Sequence, residues 1–291
     1  MKNNNINYLG PVPLQKTLLE NFELYTSIFE DFIDSNFSPV KPYIPAIGRF
    51  LITATFYEDS FRIISQWADQ VFYLWNYRHI PYFIVVSFLF LNILTMTIAS
   101  TLLVMRKQSL IATVCLICVV ISQGFFYGLF SEGTFLLRNF SVIGGLLLAF
   151  SDSIISDKRS LLTAGVPMIE NKDPKKYFLL AGRILLVLLF VRFIIAGSWS
   201  FSKILLILVG SISCVSIVIG FKIKFSAILL GILLTIYDFS VNFYWSYGYQ
   251  DPHRDFLKYE FFQTLSIVGG LLIIVNTGAG ELSIDEKKKI Y

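Results

Sequence analysis

Seven charged side chains lie inside segments of the chain that are otherwise apolar. They are Arg49, Glu58, Asp59, Arg62, Arg183, Arg192 and Asp238. A charge in an apolar segment is costly unless it is paired or functional, so each residue is a candidate for one of these roles. Carboxylates here could bind a cationic group of a ligand, and the arginines could pair with the carboxylates. The elements that carry these residues therefore have to be identified first.

The composition of the chain indicates that these elements cross a membrane. Of the 291 residues, 55% are hydrophobic and only 15% are charged, against about 25% charged residues in a typical soluble domain. A soluble protein of this length needs a polar surface that so few charged residues cannot cover. The net charge of +4 is too small for a surface that follows nucleic-acid phosphates, which excludes a nucleic-acid partner. We therefore expect a polytopic membrane protein.

Apolar segments of sufficient length set the number of helices. A membrane helix needs about 20 residues. Five segments reach this length or come close to it: 82–105, 110–129, 178–196, 204–220 and 225–244. Two shorter apolar segments, 141–150 and 265–275, each contain a glycine pair. A further segment, 45–66, has the right length but carries four charges, so composition alone leaves it undecided.

An internal repeat indicates that the segment 45–66 is also a membrane span. The tetrapeptide GRFL at 48–51 resembles GRIL at 182–185, and each begins an apolar run. The stretch SVIGGLL at 141–147 resembles SIVGGLL at 266–272 in the same order along the chain. We therefore predict an all-α polytopic membrane protein with about eight transmembrane helices, arranged as two four-helix repeats. Because each repeat has an even number of spans, the copies should be related by a pseudo-two-fold axis along the membrane normal.

The distribution of basic residues predicts the orientation. Fifteen of the 24 Lys and Arg residues lie on the side of the termini, five lie on the opposite side, and four lie within spans. Basic loops remain in the cytosol, so both termini are expected there. The predicted parts are a cytosolic N-terminal segment with an amphipathic helix (1–44), the first membrane repeat (45–151), a cytosolic linker (152–176), the second membrane repeat (177–278) and a cytosolic tail (279–291).

Depth along the predicted helices divides the seven charges into two groups. Arg49 and Arg183 lie near the cytosolic ends of their helices, where their side chains could extend to lipid headgroups. At 1.5 Å per residue, the other five reach one layer in the outer third of the membrane on the opposite side. An ungapped alignment of Arg49 with Arg183 places Glu58 opposite Arg192. We predict that Glu58 and Arg192 form an ion pair across the pseudo-axis.

Polar and aromatic residues at the same depth complete a candidate binding site. The charges could serve only to hold helices together. Alternatively, a carboxylate that is left over from pairing, with Asp238 the first candidate, could bind a cationic group. The candidate residues are Tyr57, Glu58, Asp59, Arg62, Arg192, Asp238, Asn242, Tyr244 and Trp245, with Gln123 nearby.

No constellation for catalysis or metal binding stands out in the sequence. The two histidines, His79 and His253, lie in loops, and no His, Cys or carboxylate cluster has the spacing of metal ligands. Cys115 and Cys118 lie in the middle of a span, where they are read as small core residues. We therefore expect no catalytic residues, no metal and no cofactor, and we do not expect an enzyme.

The last residues of the chain contain a sorting signal. Lys288 and Lys289 occupy the fourth and third positions from the C-terminus. On a cytosolic tail this spacing is the dilysine signal that the COPI coat reads, an address rather than an anchor. A basic anchor against the anionic inner leaflet is the alternative interpretation. The signal predicts a protein that cycles between the Golgi and the endoplasmic reticulum, so that the opposite side is the lumen.

Several stretches of the chain resemble the surfeit locus protein four family. They are KPYIP at 41–45, GRFLITATFYEDSFRIISQW at 48–67, LLRNFSVIGGLLLAFSDS at 136–153, RDFLKYEFFQTLSIVGGLL at 254–272 and NTGAGELSIDEKKKIY at 276–291. The resemblance covers nearly everything from Lys41 onward. Residues 1–40 and the loop 152–176 carry no motif that can be assigned to the family.

This resemblance implies a cargo receptor of the endoplasmic reticulum. Members of the family load soluble secretory proteins, in some cases lipoproteins, into COPII vesicles by recognising short, mostly hydrophobic signals near cargo N-termini. The COPI coat then returns the empty receptor. The expected partners are luminal cargo, COPII, and COPI through Lys288 and Lys289, and a homo-oligomer is compatible with this role. The expected locations are the endoplasmic reticulum membrane, COPII vesicles and the Golgi membrane.

Another class of function is compatible with the same features. Internal repeats and charges within the membrane also occur in transporters, so a membrane transporter or lipid scramblase of the early secretory pathway is the alternative. The charged layer lies toward one face rather than at the midplane, and no span is obviously broken by proline. Both observations favour the receptor. A membrane enzyme is the third class, and it lacks a catalytic constellation.

Overall fold

The computed structural model describes most of the chain as helix. It covers residues 14–36, 38–131, 133–163, 175–195, 201–248, 251–278, 280 and 282–285, and these residues contain no strand. Two compact units are present, Met1–Lys41 and Pro42–Tyr291. The first unit contains helix α1 (Leu14–Asn36).

Among the described residues of the second unit, eight long helices lie at the positions of the eight predicted spans. They are α2 (Ile44–Ser65), α4 (Tyr82–Val104), α5 (Ser109–Tyr127), α6 (Gly133–Thr163), α7 (Lys175–Ile195), α8 (Phe201–Ile219), α9 (Ile223–Val241) and α10 (Pro252–Thr277), with a short helix α3 (Trp67–Phe72) after α2. Among the described residues, four segments are long and apolar enough to cross a bilayer, and they contain α4, α5, α9 and most of α10. Shorter apolar stretches occur in α6 and α8. The prediction of an all-α polytopic membrane protein is confirmed.

Several helices are longer than the apolar segments that predicted them. α6 continues to Thr163, so the first part of the predicted linker 152–176 is helical. α10 begins at Pro252, within a segment that the sequence places in a loop. The reason is that a change to polar residues ends a membrane span but does not end a helix, which requires glycine, proline or an unfavourable cap.

Corresponding helices in the two halves are joined by turns with the same backbone conformation. Arg106 and Gln108, between α4 and α5, have φ angles of 58° and 50°, and Gly220 and Lys222, between α8 and α9, have φ angles of 79° and 43°. In each turn one amide donates to the carbonyl oxygen five residues earlier, at 2.9 Å and 3.0 Å. The same local geometry at corresponding positions is what a duplicated unit requires.

Glycines of the repeated motifs lie where the helices of the two halves approach most closely. A Cβ atom on Gly48 of α2 would lie 2.9 Å from the carbonyl oxygen of Gly269 on α10. A Cβ atom on Gly144 of α6 would likewise lie 2.9 Å from the carbonyl oxygen of Gly182 on α7. Small residues allow such close approach of helices in a membrane. Exchanging α2 with α7 and α6 with α10 interchanges the two contacts, as a pseudo-two-fold axis would.

The two ends of this helical unit differ in what they carry. The turns at 106–108 and 220–222 lie at one end, which we call the tail end because residues 282–285 also contact the 220–222 turn. The opposite end carries α3, a π-helical turn (Tyr73–Tyr77) and the start of α10. We call it the cleft end, after the site described next.

Candidate functional site

A cleft with a volume of about 550 Å³ lies between α2, α5, α6 and α10. Its size is within the range of about 300–1,000 Å³ that is usual for ligand sites. Its polar lining includes Asp59, Arg62, Gln66, Gln123, Asn139, Asp255, Tyr259 and Gln263, and its apolar lining includes Phe56, Ile63, Val120, Val142 and Phe256. The cleft therefore combines charged groups with an apolar surface.

Arg62 holds the charged wall of the cleft together. One guanidinium nitrogen, Nη2, lies 2.6 Å from Oδ1 of Asp59, one turn earlier on α2. The guanidinium also lies over the ring of Tyr259 on α10, 5.6 Å from its centre, a cation–π arrangement. Arg62 thus contacts both helices that form this wall. Asp59 and Arg62 are the members of the predicted site that line the cleft.

Gln66 and Asp255 bring α2 and α10 together at the mouth of the cleft. The side-chain amide of Gln66 donates to Oδ2 of Asp255 at 2.5 Å. Gln66 follows the last residue of α2 and precedes α3, and Asp255 lies in the first turn of α10. With Asp59, Asp255 gives the lining two carboxylates against the single guanidinium of Arg62, so the charged lining has an excess of one negative charge.

Gln263 supplies a polar group deeper in the cleft. Its Nε2 donates to the hydroxyl of Tyr259 at 2.6 Å. Its Oε1 is buried and has no hydrogen-bond partner among the described residues. A buried acceptor without a partner costs free energy, which a donor on a bound molecule would recover. The cleft is therefore suited to a ligand that has a cationic or hydrogen-bond-donating group and an apolar body.

Glu58 lies beside the cleft and is not part of its lining. Its side chain is only 1% exposed, and it forms ion pairs with Lys258 at 3.3 Å and with Arg62 at 3.9 Å. Lys258 was not predicted as a partner of Glu58 because hydropathy places this residue in a loop. The start of α10 has a recognisable signal, since Asp251 accepts a hydrogen bond from the amide of His253 and Pro252 occupies the first helical position. The side chain of Arg192, the predicted partner of Glu58, lies outside the described residues.

A charge exchange tests the Glu58–Lys258 pair. We expect Glu58→Gln to lower the free energy of unfolding by about 3 kcal/mol, the lower end for a buried pair, because Lys258 keeps some contact with solvent. The exchange Glu58→Lys with Lys258→Glu should recover most of this loss in thermal unfolding of the purified protein. The matched exchange Glu58→Arg with Arg192→Glu is the control. Recovery by the control and not by the Lys258 exchange would show that Arg192 is the partner after all.

Five predicted site residues are not brought into the cleft. Tyr57 forms a hydrogen bond of 2.9 Å with Thr101 on α4. Asp238 is buried and accepts a 2.7 Å hydrogen bond from Asn242, one turn later. Tyr244 and Trp245 pack their rings against Phe261. Depth along a helix does not determine which side of the helix faces the cleft.

Arg49 and Arg183 are buried at the tail end and do not extend to lipid headgroups as predicted. Arg49 contacts Oδ2 of Asp152 on α6 at 2.6 Å, and both side chains are at most 4% exposed. Arg183 donates to the carbonyl oxygen of Leu282 at 2.9 Å. Asp152 was missed because the sequence assigned it to the linker, although it lies in α6.

The two lysines of the predicted retrieval signal, Lys288 and Lys289, lie outside the described residues. Among the residues that the structure describes, no three His, Cys, Asp or Glu side chains lie close enough together to hold a metal ion.

Comparisons with known proteins find relatives that cover most of the chain. The chain matches the model of the SURF4 family over residues 23–291. It is 52% identical to the ER-derived vesicles protein ERV29 of Saccharomyces cerevisiae over 272 residues, which are 93% of this chain and 86% of that protein. It is 43% identical to a Surfeit locus protein 4 homolog of Schizosaccharomyces pombe, covering 90% and 87% of the two chains. The homolog of the same name in Drosophila melanogaster is 38% identical, covering 91% and 97%. No solved structure matches the chain.

Proposed function

The chain belongs to the SURF4 family, and we propose that it is a receptor that loads soluble secretory proteins into COPII vesicles at the endoplasmic reticulum. The observation that carries the proposal is the cleft between α2, α5, α6 and α10, with its carboxylates and its apolar lining. In the proposed orientation both termini are cytosolic, so the cleft end faces the lumen. The name of the yeast relative, an ER-derived vesicles protein, supports the same compartment.

The cleft can bind a short segment of a cargo protein. A cationic group, such as the free N-terminal amine of the cargo, would lie between the carboxylates of Asp59 and Asp255. Apolar side chains of the same segment would pack on Phe56, Ile63 and Phe256. The part of α10 that carries Asp255 and Phe256, together with α3, takes the place of a folded luminal domain.

Removal of the cleft carboxylates tests this role. We expect Asp59→Asn with Asp255→Asn to slow export of a soluble cargo at least tenfold, because a hydrogen bond to a charged group contributes about 1.5–3 kcal/mol. The measurement is a pulse–chase assay of cargo secretion, with thermal unfolding to show that the variant is folded. Asp69→Asn, an exposed carboxylate of α3 outside the cleft lining, is the matched control. Normal export in the double variant would remove the cleft from cargo recognition.

Crosslinking identifies the ligand directly. A photoactivatable residue in place of Phe256, in the cleft, should capture soluble secretory proteins in microsomes. The same residue in place of Phe83, an exposed side chain at the start of α4, should not. Capture of phospholipid instead of protein at position 256 would favour the alternative function, a lipid scramblase or transporter.

Return of the empty receptor is the second half of the proposed cycle. Lys288 and Lys289 would bind the COPI coat, and the receptor would be an integral protein of the endoplasmic reticulum membrane, COPII vesicles and the Golgi membrane. The proposed interactions with COPII and with a second copy of the chain have no assigned residues. In this proposal the protein is not an enzyme and uses no cofactor.

A further inference from the structure

The segment that follows α10 is bound to the tail end of the bundle. Arg183 on α7 donates to the carbonyl oxygen of Leu282 at 2.9 Å. The amide of Asp285 donates to the carbonyl oxygen of Gly220 at 3.1 Å. We call residues 282–285 the tail clasp.

Asp285 binds the tail clasp to the start of α9. Its two carboxylate oxygens accept hydrogen bonds from the backbone amides of Lys222 and Ile223, at 3.0 Å and 3.1 Å. These amides are at the start of α9, where the helix has unsatisfied donors and the positive end of its dipole. A carboxylate from a distant part of the chain therefore caps α9.

Close packing accompanies these hydrogen bonds. Ser283 is buried, and its hydroxyl donates to the carbonyl oxygen of Gly280 at 2.7 Å. A Cβ atom on Gly220 would collide with the backbone of Ser283, 2.9 Å away. Gly220, with φ of 79°, is therefore required both by the turn and by the tail that packs on it.

Not every buried polar atom at the closed clasp has a hydrogen-bond partner. Arg183 is 1% exposed, and its Nε and Nη1 atoms have no hydrogen-bond partner among the described residues. Buried donors without partners cost free energy, and opening of the clasp would allow water to bind them. The free-energy cost of the unpaired Arg183 donors opposes the stabilisation that the Asp285 cap gives to α9. An element with two accessible states requires opposing contributions of this kind.

The position of the clasp limits how far the C-terminal lysines can extend. Lys288 is three residues beyond Asp285, and a fully extended chain spans at most about 3.6 Å per residue. Lys288 can therefore lie at most about 11 Å from Asp285 while the clasp is closed. If the clasp opens, the free chain begins after Thr277, and the same lysine can extend about 40 Å from the end of α10.

We propose that the tail clasp is an autoinhibitory contact that holds Lys288 and Lys289 at the membrane surface, and that its opening presents them to the COPI coat. The inference rests on the proposed function, in which the tail is cytosolic and the two lysines are the retrieval signal. A closed clasp keeps the lysines near an anionic leaflet that attracts them. An open tail carries them well beyond the Debye length of about 8 Å at physiological salt.

The full-length protein in nanodiscs that contain anionic lipid provides the test. Asp285→Ala removes the cap of α9, and we expect it to raise the rate of trypsin cleavage at the terminal lysines and the affinity for purified coatomer, each at least fivefold. Asp251→Ala, which removes the cap of α10 at the other end, is the matched control and should change neither. Lys288→Ala with Lys289→Ala should abolish the gain in coatomer binding.

A second variant lengthens the tail without removing any contact of the clasp. A ten-residue Gly-Ser insertion between Asp285 and Glu286 leaves the clasp intact but lengthens the free tail, so it should raise coatomer affinity as much as Asp285→Ala does. Unchanged affinity in both variants, with wild-type binding intact, would overturn the clasp and leave the proposed function standing. Faster trypsin cleavage without coatomer binding by any form would instead refute the retrieval role, and the autoinhibition with it.

Discussion

Asp152→Ala is expected to be among the most destabilising single substitutions in the membrane bundle. The Asp152 carboxylate lies 2.6 Å from Arg49 and 3.3 Å from Arg106, and the Arg49 side chain is only 4% exposed. The substitution leaves the Arg49 guanidinium buried without a counter-charge. Breaking a buried ion pair in this way costs about 3–5 kcal/mol. Reversible unfolding of the purified protein in mixed detergent micelles measures this loss.

Two further variants separate the buried pair from its exposed neighbour. Arg106→Ala removes the partner that is 35% exposed, so it should cost at most about 1 kcal/mol. Arg49→Met with Asp152→Leu removes both charges and should recover most of the stability that Asp152→Ala loses, because an apolar replacement has no desolvation cost. An Asp152→Ala protein as stable as the wild type would show that Arg49 has another counter-ion.

Gly269→Ala should be nearly as damaging, for a reason that involves no charge. The new methyl group would lie 2.6 Å from the carbonyl oxygen of Gly48 and 2.8 Å from Cβ of Leu51. The carbonyl oxygen is a backbone atom of α2 and the Cβ atom is bonded directly to that backbone. Neither atom can therefore move away by side-chain rotation. We expect a loss of about 3 kcal/mol, at the upper end of the usual cost of overpacking, measured by the same unfolding assay.

The chain offers a matched control and a corresponding position. Gly231→Ala adds a methyl group whose nearest neighbour, Cδ1 of Leu271, is 3.9 Å away. This variant should be neutral or slightly more stable, by up to about 1 kcal/mol, because alanine favours helix. Gly144→Ala, at the corresponding position in the first half, would meet the backbone nitrogen of Leu186 and the carbonyl oxygen of Gly182 at 2.7 Å and 2.9 Å and should behave like Gly269→Ala. Equal stability of the Gly269→Ala and Gly231→Ala proteins would contradict the close crossing.

Much of the helical architecture could be predicted from apolar length and from the repeat. The segments that became α4, α5 and α9 are long enough and apolar enough to be identified on their own. α2 is not, since it carries four charges, and only its similarity to the start of α7 identified it. The polar ends of α6 and α10 were missed because hydropathy reports the lipid environment and not the hydrogen bonding that continues a helix.

The candidate site was predicted in part, and the residues show why. Depth grouped Asp59, Arg62 and Gln123, and the structure brings these three residues together in the lining of the cleft. It could not tell that Asp238 faces away, because height along a helix carries no information on direction around it. Asp255, Tyr259 and Gln263 were missed, although their spacing of four residues places them on one face of α10. That polar stripe was the available signal.

The polar residues at the end of α2 that line the cleft have no equivalents in the other copy of the duplicated unit. In the register that aligns Arg49 with Arg183, the positions of Asp59, Arg62 and Gln66 are occupied in the second copy by Phe193, Ala196 and Ser200. Duplication of the unit therefore did not produce a second copy of this charged group. The expected stoichiometry is one ligand per chain, with a hyperbolic saturation curve and mutual competition between cargoes. Under the proposed function, the number of receptor molecules in a budding vesicle would set an upper limit on how much cargo that vesicle can concentrate.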